Sequence, residues 1–204
     1  MPHEIDCWIT LGSTYSYLTV MRVPQVTESS GVQVRFRPFH LLQIFKEMNY
    51  FPFPPDAPKT RYMWQDVARR AELYGIPFKL PVTYPASQSI VANRIALLGL
   101  REGWGYEYMR VAYRNWFVAG KETGSEPNVG DSLREIGQDP RRVLPLANGA
   151  EIDGALMAET SIAKAAGIFG SPTFCIGDQL FWGDDRLEDA IRWAKYGTLA
   201  NAKV

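Results

Sequence analysis

The sequence predicts an α/β fold in which a βαβ unit and a ββα unit flank a large all-helical insertion. Two short apolar runs, separated by a helical pattern, lie within the first forty residues. Helical patterns and proline-rich connectors follow, and strand patterns return only near residue 170. We therefore assign residues 1–40 plus 167–204 to one unit and residues 41–166 to a helical insertion domain.

The amino-terminal unit is predicted to be strand, helix, strand. The run from Glu4 to Leu11 is short and apolar and is broken by Gly12, which indicates a buried strand. Apolar residues recur at helical spacing from Tyr15 to Val26, and residues 32–39 alternate as in a half-buried strand. Such a unit joins parallel strands through a right-handed crossover.

The insertion is predicted to be helical apart from its connectors. A short helical piece spans Leu41 to Met48, and a proline-rich loop follows it up to Pro58. Helices are also predicted over residues 59–75, 87–102 and 106–118, and shorter ones over residues 129–136 and 151–166.

The carboxyl-terminal unit is predicted to be a hairpin followed by a helix. Gly170 to Gly177 indicates a turn into a strand, Gln179 to Trp182 indicates a second strand, and the Gly-Asp step between them favours a hairpin. An amphipathic helix follows from Asp185 to Tyr196. The order βαβ, insertion, ββα is that of a thioredoxin-like fold.

The composition excludes several classes of function. The formal net charge is zero, so there is no electrostatic basis for binding nucleic acid or an anionic membrane. The first residues carry no basic region and no long apolar run, so we expect a cytoplasmic protein without a signal peptide or membrane span. Cys7 and Cys175 are expected to be buried, reduced thiols. His3 and His40 belong to no cluster with ligand spacing, and no metal site is predicted.

The loop after the first predicted strand is the first candidate for chemistry. Ser13 and Ser16 have the spacing of the cysteine pair of thioredoxin-type redox proteins, but serine cannot form a disulfide, so thiol–disulfide exchange is excluded here. Two interpretations remain for Ser13. It is the N-cap of the following helix, or its hydroxyl donates to the thiolate of a ligand, whose thiol pKa the helix N-terminus lowers from about 8.5.

Two segments near the carboxyl terminus complete the candidate site. Pro172 follows Ser171 at the start of the third predicted strand, where a cis proline would leave the Ser171 backbone free to pair with an extended ligand, although an ordinary trans proline is an alternative. In the segment from Trp182 to Leu187, one of Asp184 and Asp185 can cap the last helix, and the other is then free to bind the ammonium of a γ-glutamyl group.

These segments together resemble the 2-hydroxychromene-2-carboxylate isomerases and the related kappa-class glutathione transferases of the DsbA-like group. The resemblance spans essentially the whole chain and is most specific at Gly-Ile-Phe-Gly-Ser-Pro-Thr-Phe (167–174) and Phe-Trp-Gly-Asp-Asp-Arg-Leu (181–187). It implies glutathione as cofactor, a small aromatic carboxylate as substrate, and a homodimer. It further implies that Ser13 faces the sulfur and that the rest of the glutathione is bound by Ser171, Pro172, Trp182, Gly183, Asp184 and Asp185.

The resemblance also implies a substrate pocket between the two units, with Asn49, Lys59 and Arg61 as substrate-binding residues. The chain departs from the family in two places. The family often has Ser-Pro where this chain has Ser13-Thr14, and Phe-Pro-x-Asn where this chain has Tyr-Pro-Ala-Ser, which assigns the substrate role of that asparagine to Ser87. The second departure weakens the assignment of the substrate.

The resemblance predicts a glutathione-dependent cis-trans isomerase of an aromatic-degradation intermediate such as 2-hydroxychromene-2-carboxylate. Two alternatives stay open. A kappa-like glutathione transferase or peroxidase would use the same cofactor site but consume glutathione. A DsbA-like protein without catalytic activity would bind peptides along the same Pro172 edge.

Overall fold

The computed structural model describes residues 4–28, 30–50, 53–54 and 56–200. Its strands form one mixed sheet in the order β2-β1-β3-β4. β1 pairs with β2 in parallel, and both β1 with β3 and β3 with β4 are antiparallel. The bounds are β1 (Glu4–Ile9), β2 (Gln33–Pro38), β3 (Thr173–Ile176) and β4 (Gln179–Trp182). This is the thioredoxin-like layout that the sequence predicted.

Helices pack against the sheet and provide the regular secondary structure of the insertion among the described residues. The helices are α1 (Thr14–Thr27), α2 (Leu41–Glu47), α3 (Pro58–Tyr74), α4 (Ser89–Glu102), α5 (Gly105–Phe117), α6 (Asn128–Glu135), α7 (Pro140–Ala147), α8 (Ala150–Ala165) and α9 (Leu187–Tyr196). Among the described residues, no helix is long and apolar enough to cross a membrane.

Several elements differ from the sequence prediction: β1 ends at Ile9 rather than Leu11, and α4 begins at Ser89 rather than Ser87. α7 was not predicted, because it is short and contains Pro140 and Pro145. Pro140 occupies the first helical turn, where proline is tolerated, and the Asp139 carboxylate caps the helix by accepting from the Arg141 amide at 2.9 Å. The last helix was predicted to begin at Asp185, but a 3-10 turn over Asp184–Arg186 precedes α9.

The sheet separates two apolar clusters. Alternate residues of β1 point to opposite faces, so Ile5, Cys7 and Ile9 join the larger cluster while Trp8 joins the smaller one beside Phe39. The larger cluster extends from the sheet through α1 into α4 and α5. The two units of the fold therefore share one core, and their division into separate domains stays a prediction.

Candidate functional site

One large cavity lies where the loop after β1 meets the insertion. Its volume is about 570 Å³. The β1–α1 loop and the loops before β3 and after β4 form one side, while α2, α3 and the start of α4 form the other. The cavity therefore lies between the thioredoxin-like unit and the insertion, where the resemblance placed a substrate pocket.

Ser13 occupies the N-cap of α1 and also lines the cavity. Its Oγ accepts from the Ser16 amide at 3.2 Å, which satisfies one of the helix's unpaired donors. The same hydroxyl donates to the Ser171 carbonyl oxygen at 2.8 Å. The capping interpretation of Ser13 therefore holds, and the hydroxyl proton is still available to a ligand because it needs only to rotate away from Ser171.

Ser171 is fixed from several directions. Its Oγ lies 2.7 Å from the Ser16 Oγ and accepts from the Thr10 amide at 2.9 Å. Tyr113 and Asn93 hold the Thr10 segment in turn, since the Tyr113 hydroxyl donates to the Thr10 carbonyl and Asn93 bonds the Thr10 hydroxyl, each at 2.9 Å. These bonds hold Ser171 beside the loop after β1, where its carbonyl accepts from the Ser13 hydroxyl.

The Ser171–Pro172 peptide bond is cis. The amide of Ser171 has no hydrogen-bond acceptor within the described ranges, and Ser171 lines the cavity. Pro172 itself is buried, and its carbonyl accepts from the Gly183 amide at 3.0 Å. The backbone edge that the sequence predicted for pairing with an extended ligand is therefore present, and the Ser171 amide is a free donor on it.

Trp182 and Gly183 form the wall next to this edge. A Cβ on Gly170 would lie 2.2 Å from the Trp182 Nε1, so only glycine allows the indole to pack there. Gly183 has φ +113°, and a Cβ on it would lie 2.6 Å from the Asp185 Oδ1. Both glycines are needed for the close approach of side chains around the cavity rim.

Asp184 does not fit its predicted contact with a ligand. Its side chain is fully buried away from the cavity, where its Oδ1 accepts from Thr19 at 2.9 Å and from the Arg22 Nε at 3.0 Å. Burial raises the pKa of Asp184, and the charge of Arg22 opposes that shift. The sequence missed Arg22, whose position on α1 gave no sign of a partner 162 residues away.

Asp185 is the carboxylate that faces the cavity. It lies 3.8 Å from the Arg70 Nη2 and 3.3 Å from the Arg186 Nη2. Arg70 in turn pairs with Asp66 at 3.3 Å, and Asp66 accepts from the Tyr15 hydroxyl at 3.0 Å. This end of the cavity thus presents carboxylates and a guanidinium together, which is what a zwitterionic amino-acid group requires.

The opposite end of the cavity is apolar and aromatic. Lys59 stands at its edge, where its Nζ donates to the Tyr50 hydroxyl at 3.0 Å and lies 5.2 Å from the centroid of the Phe53 ring. The apolar lining comprises Leu41, Leu42, Phe45, Met48, Phe53, Met63, Tyr62, Tyr84 and Phe169. This end suits a flat apolar molecule that carries one negative charge.

Three predicted substrate residues lie away from the cavity lining. Asn49 is exposed, with φ +49°. Arg61 is exposed and donates to the carbonyl of Asp56. Ser87 is exposed, and its hydroxyl donates to Glu122 at 2.7 Å. These placements do not support direct contact between any of the three and a substrate in the cavity.

The sequence contained a signal for the residues of α3 that do line the cavity. Lys59, Tyr62, Met63, Asp66 and Arg70 recur at three- and four-residue spacing and all line it. Residues at that spacing share one face of a helix, whereas residues two apart do not. Lys59 and Arg61 therefore could not both have faced the same pocket.

The cysteines do not supply a nucleophile to this site. Burial raises the pKa of the Cys7 thiol well above its usual value and that of Cys175 to about 11. They lie in β1 and β3, and neither lines the cavity. A thiolate next to Ser13 would have to come from a ligand.

Comparisons with known proteins give the family context. A family model described as a DSBA-like thioredoxin domain matches residues 4–191. The 2-hydroxychromene-2-carboxylate isomerase of Sphingobium xenophagum is 24% identical over 92% of this chain and 96% of its own length. Glutathione S-transferase kappa 2 of Caenorhabditis elegans is 27% identical over 86% and 84%. A solved structure of a 2-hydroxychromene-2-carboxylate isomerase superposes with a TM-score of 0.76 at 22% identity, covering 90% of each chain.

Proposed function

Because the chain belongs to the family of DsbA-like thioredoxin domains, we propose that it binds glutathione in the cavity and is a glutathione-dependent cis-trans isomerase. The proposed substrate is an aromatic-degradation intermediate such as 2-hydroxychromene-2-carboxylate. The observation that carries the proposal is the pairing of Ser13 with the Ser171 edge at one wall of the cavity. The relatives named as isomerases support an enzymatic role.

The residues of the cavity fit a γ-glutamyl tripeptide. The free amide and the carbonyl of Ser171 can pair with the cysteinyl backbone in the manner of an added strand. Asp185 would bind the α-ammonium of the γ-glutamyl group, and Arg70 its α-carboxylate. Asp184 would act indirectly, since its bonds to Arg22 fix the turn that presents Asp185.

Bound glutathione would supply a thiolate that adds reversibly to a conjugated double bond, so that rotation about the resulting single bond precedes elimination of the same thiolate, without oxidation or consumption of the tripeptide. Ser13 would hold that sulfur by rotating its hydroxyl away from Ser171, and this rotation would free the Ser171 carbonyl for the cysteinyl amide. The N-terminus of α1 adds partial positive charge at the same place.

The apolar end of the cavity would bind the aromatic part of the substrate. Lys59 would pair with the substrate carboxylate, since it is a cation at the edge of an aromatic wall. Its contact with the Tyr50 hydroxyl would position the ammonium without neutralising it.

The similarity to a kappa-class transferase favours one second candidate, a transferase or peroxidase that uses the same cofactor site. The two candidates differ in what happens to glutathione. An isomerase returns it, whereas conjugation or peroxide reduction consumes it.

Turnover of 2-hydroxychromene-2-carboxylate tests the proposal. We expect isomerisation that requires catalytic amounts of glutathione and leaves the free thiol concentration constant. Loss of thiol in step with product would favour the transferase. Absence of glutathione-dependent turnover would contradict the isomerase proposal. The substrate end of the cavity would be tested with the variant Lys59→Ala. The control is Lys79→Ala, because Lys79 is exposed and lies outside the cavity lining.

A further inference from the structure

Ser89 is a buried residue whose hydroxyl the proposed roles leave unused. Its relative exposure is 3%, and it lines the cavity. Its side chain forms no hydrogen bond with any residue in the part of the chain that the structure describes, and it does not cap α4. Its oxygen is not one of the buried side-chain oxygens that lack a partner in the described part of the chain, so it opens onto the cavity and is available to a ligand there.

Packing alone does not explain the hydroxyl. A Cβ on Gly12 would lie 2.9 Å from the Ser89 Cβ and 3.2 Å from its Oγ, so the contact requires glycine at position 12. Alanine at position 89 would make the same contact with Gly12 through its Cβ, without the hydroxyl. The oxygen of Ser89 is therefore the part that packing leaves unaccounted for.

Ser89 also begins α4, a helix of 14 residues. The first amides of a helix lack intrahelical acceptors and carry partial positive charge. Gly12, which Ser89 contacts, directly precedes the N-cap of α1. The amino-terminal ends of two helices thus converge on the part of the cavity that contains Ser13.

We propose that Ser89, together with the N-terminus of α4, binds the carbonyl oxygen of the substrate that is conjugated with the reacting double bond. The proposal rests on the proposed function, because opening the hemiketal ring of 2-hydroxychromene-2-carboxylate gives an α-keto acid with such a carbonyl. Ser89 would then donate to the oxygen on which negative charge develops.

A carbonyl oxygen fits this position better than a carboxylate does. A buried carboxylate needs a cation or several donors, and Ser89 offers one neutral hydroxyl. The cations that line the cavity are placed elsewhere among the described residues, with Lys59 at the aromatic edge and Arg70 beside Asp66 and Asp185. A neutral donor and a helix N-terminus match a polarised carbonyl instead.

Binding of two matched probes tests the role of Ser89. Benzylidenepyruvate carries the conjugated keto oxygen, and 4-phenylbut-3-enoate has two hydrogens in its place. Each would be titrated calorimetrically into the wild type, Ser89→Ala and the control Ser87→Ala. Ser87 is close in sequence but exposed and outside the cavity lining.

We expect Ser89→Ala to weaken benzylidenepyruvate binding by about three- to tenfold, the effect of one neutral hydrogen bond, and to leave 4-phenylbut-3-enoate unchanged. Ser87→Ala should bind both probes as the wild type does. Equal binding of benzylidenepyruvate by wild type and Ser89→Ala, equal weakening of both probes, or no binding of either probe by the wild type would overturn the role of Ser89.

A titration of the same proteins with reduced glutathione separates this proposal from the proposed function. Ser89→Ala should keep the glutathione affinity of the wild type, which also shows that the variant is folded. A wild type that discriminates between the probes but binds no glutathione would support the role of Ser89 and contradict the glutathione-dependent reaction.

Discussion

Ser13 combines a structural role with a proposed chemical one. Its oxygen accepts from the Ser16 amide and so caps α1, while its proton is donated to Ser171. The first bond uses a lone pair of the oxygen, and the second uses the hydrogen of the same hydroxyl. A ligand thiolate can therefore accept a hydrogen bond from Ser13 without loss of the cap.

Two substitutions at position 13 separate these roles. Ser13→Ala removes both and should cost about 0.5–2 kcal/mol of unfolding free energy, whereas Ser13→Gly should cost only a few tenths because glycine is a good N-cap. Both should lower the thiolate-to-thiol ratio of bound glutathione at a given pH about tenfold or more, because a hydrogen bond to a charged group is worth about 1.5–3 kcal/mol.

The thiolate absorption of bound glutathione, followed against pH, measures the thiolate-to-thiol ratio. Urea unfolding measures the unfolding free energy of each variant. A Ser13→Gly variant in which bound glutathione ionises as it does in the wild type would contradict the role of Ser13 as the sulfur's hydrogen-bond donor.

The raised pKa values of the cysteines give a second prediction at this scale. Thiolate is the reactive form, so at about pH 7.5 iodoacetamide should label Cys7 and Cys175 far more slowly in the native protein than in urea. Mass spectrometry of the intact protein reports the labelling. Equal rates in the two states would mean that the chain has a reactive thiol of its own.

Some site residues could be predicted from the sequence and others could not. Ser13, Ser171 and Asp185 follow turn and strand signals, and the structure brings all three to the cavity. The helix was predicted to begin at Ser87, but α4 begins at Ser89, and Ser89 rather than Ser87 lines the cavity. Pattern alone does not resolve that difference.

At the scale of elements, a buried ion-pair cluster joins α1 to the start of α9. Arg22 donates to the Asp184 carboxylate at 3.0 Å, to the Asp184 carbonyl at 2.6 Å and to Glu188 at 3.0 Å. Its guanidinium also lies 4.4 Å from the centroid of the Tyr74 ring of α3. Burial raises the pKa of Glu188, but the Arg22 bond and charge outweigh it and leave that pKa below its usual value.

Arg22→Ala should therefore destabilise the protein by about 3–5 kcal/mol, because it leaves the Asp184 carboxylate buried without its partner. The matched control is Arg35→Ala on β2. Its side chain is 55% exposed and pairs with Asp6, so its loss should cost about 1 kcal/mol or less. Urea unfolding compares the two variants, and equal destabilisation would contradict the importance of the buried cluster.

The sequence predicted most elements because their patterns are strong, as in β4, whose bounds agree with the prediction. It missed α7 because proline is normally a helix breaker, and it could not predict the Arg22 cluster. Contacts between distant elements depend on how the helices pack, and the spacing of residues along the chain does not predict that packing.

At the scale of the whole molecule, the cavity exists because the insertion covers the end of the sheet where β1 ends and β3 begins. One wall comes from the loops after β1 and before β3, and the other comes from α2, α3 and α4. The first wall could be predicted from the thioredoxin-like layout. The residues of the second could not, because they depend on how the insertion folds back over the sheet.

Because each unit forms one wall of the cavity, each would bind a different ligand in the proposed function. The thioredoxin-like unit would bind glutathione through Ser13, Ser171 and Asp185, and the insertion would bind the aromatic substrate through its apolar wall and Lys59. Arg70 on α3 is the exception, since it reaches across to Asp185. Glutathione binding is therefore the claim on which the rest depends.

The most direct test is a calorimetric titration of the protein with reduced glutathione, repeated with Asp185→Ala and with the control Asp178→Ala in the exposed turn between β3 and β4. We expect saturable binding by the wild type and Asp178→Ala, and binding about tenfold or more weaker in Asp185→Ala, because a charge-assisted hydrogen bond is lost. No saturable binding by the wild type, or equal binding by all three proteins, would contradict that expectation.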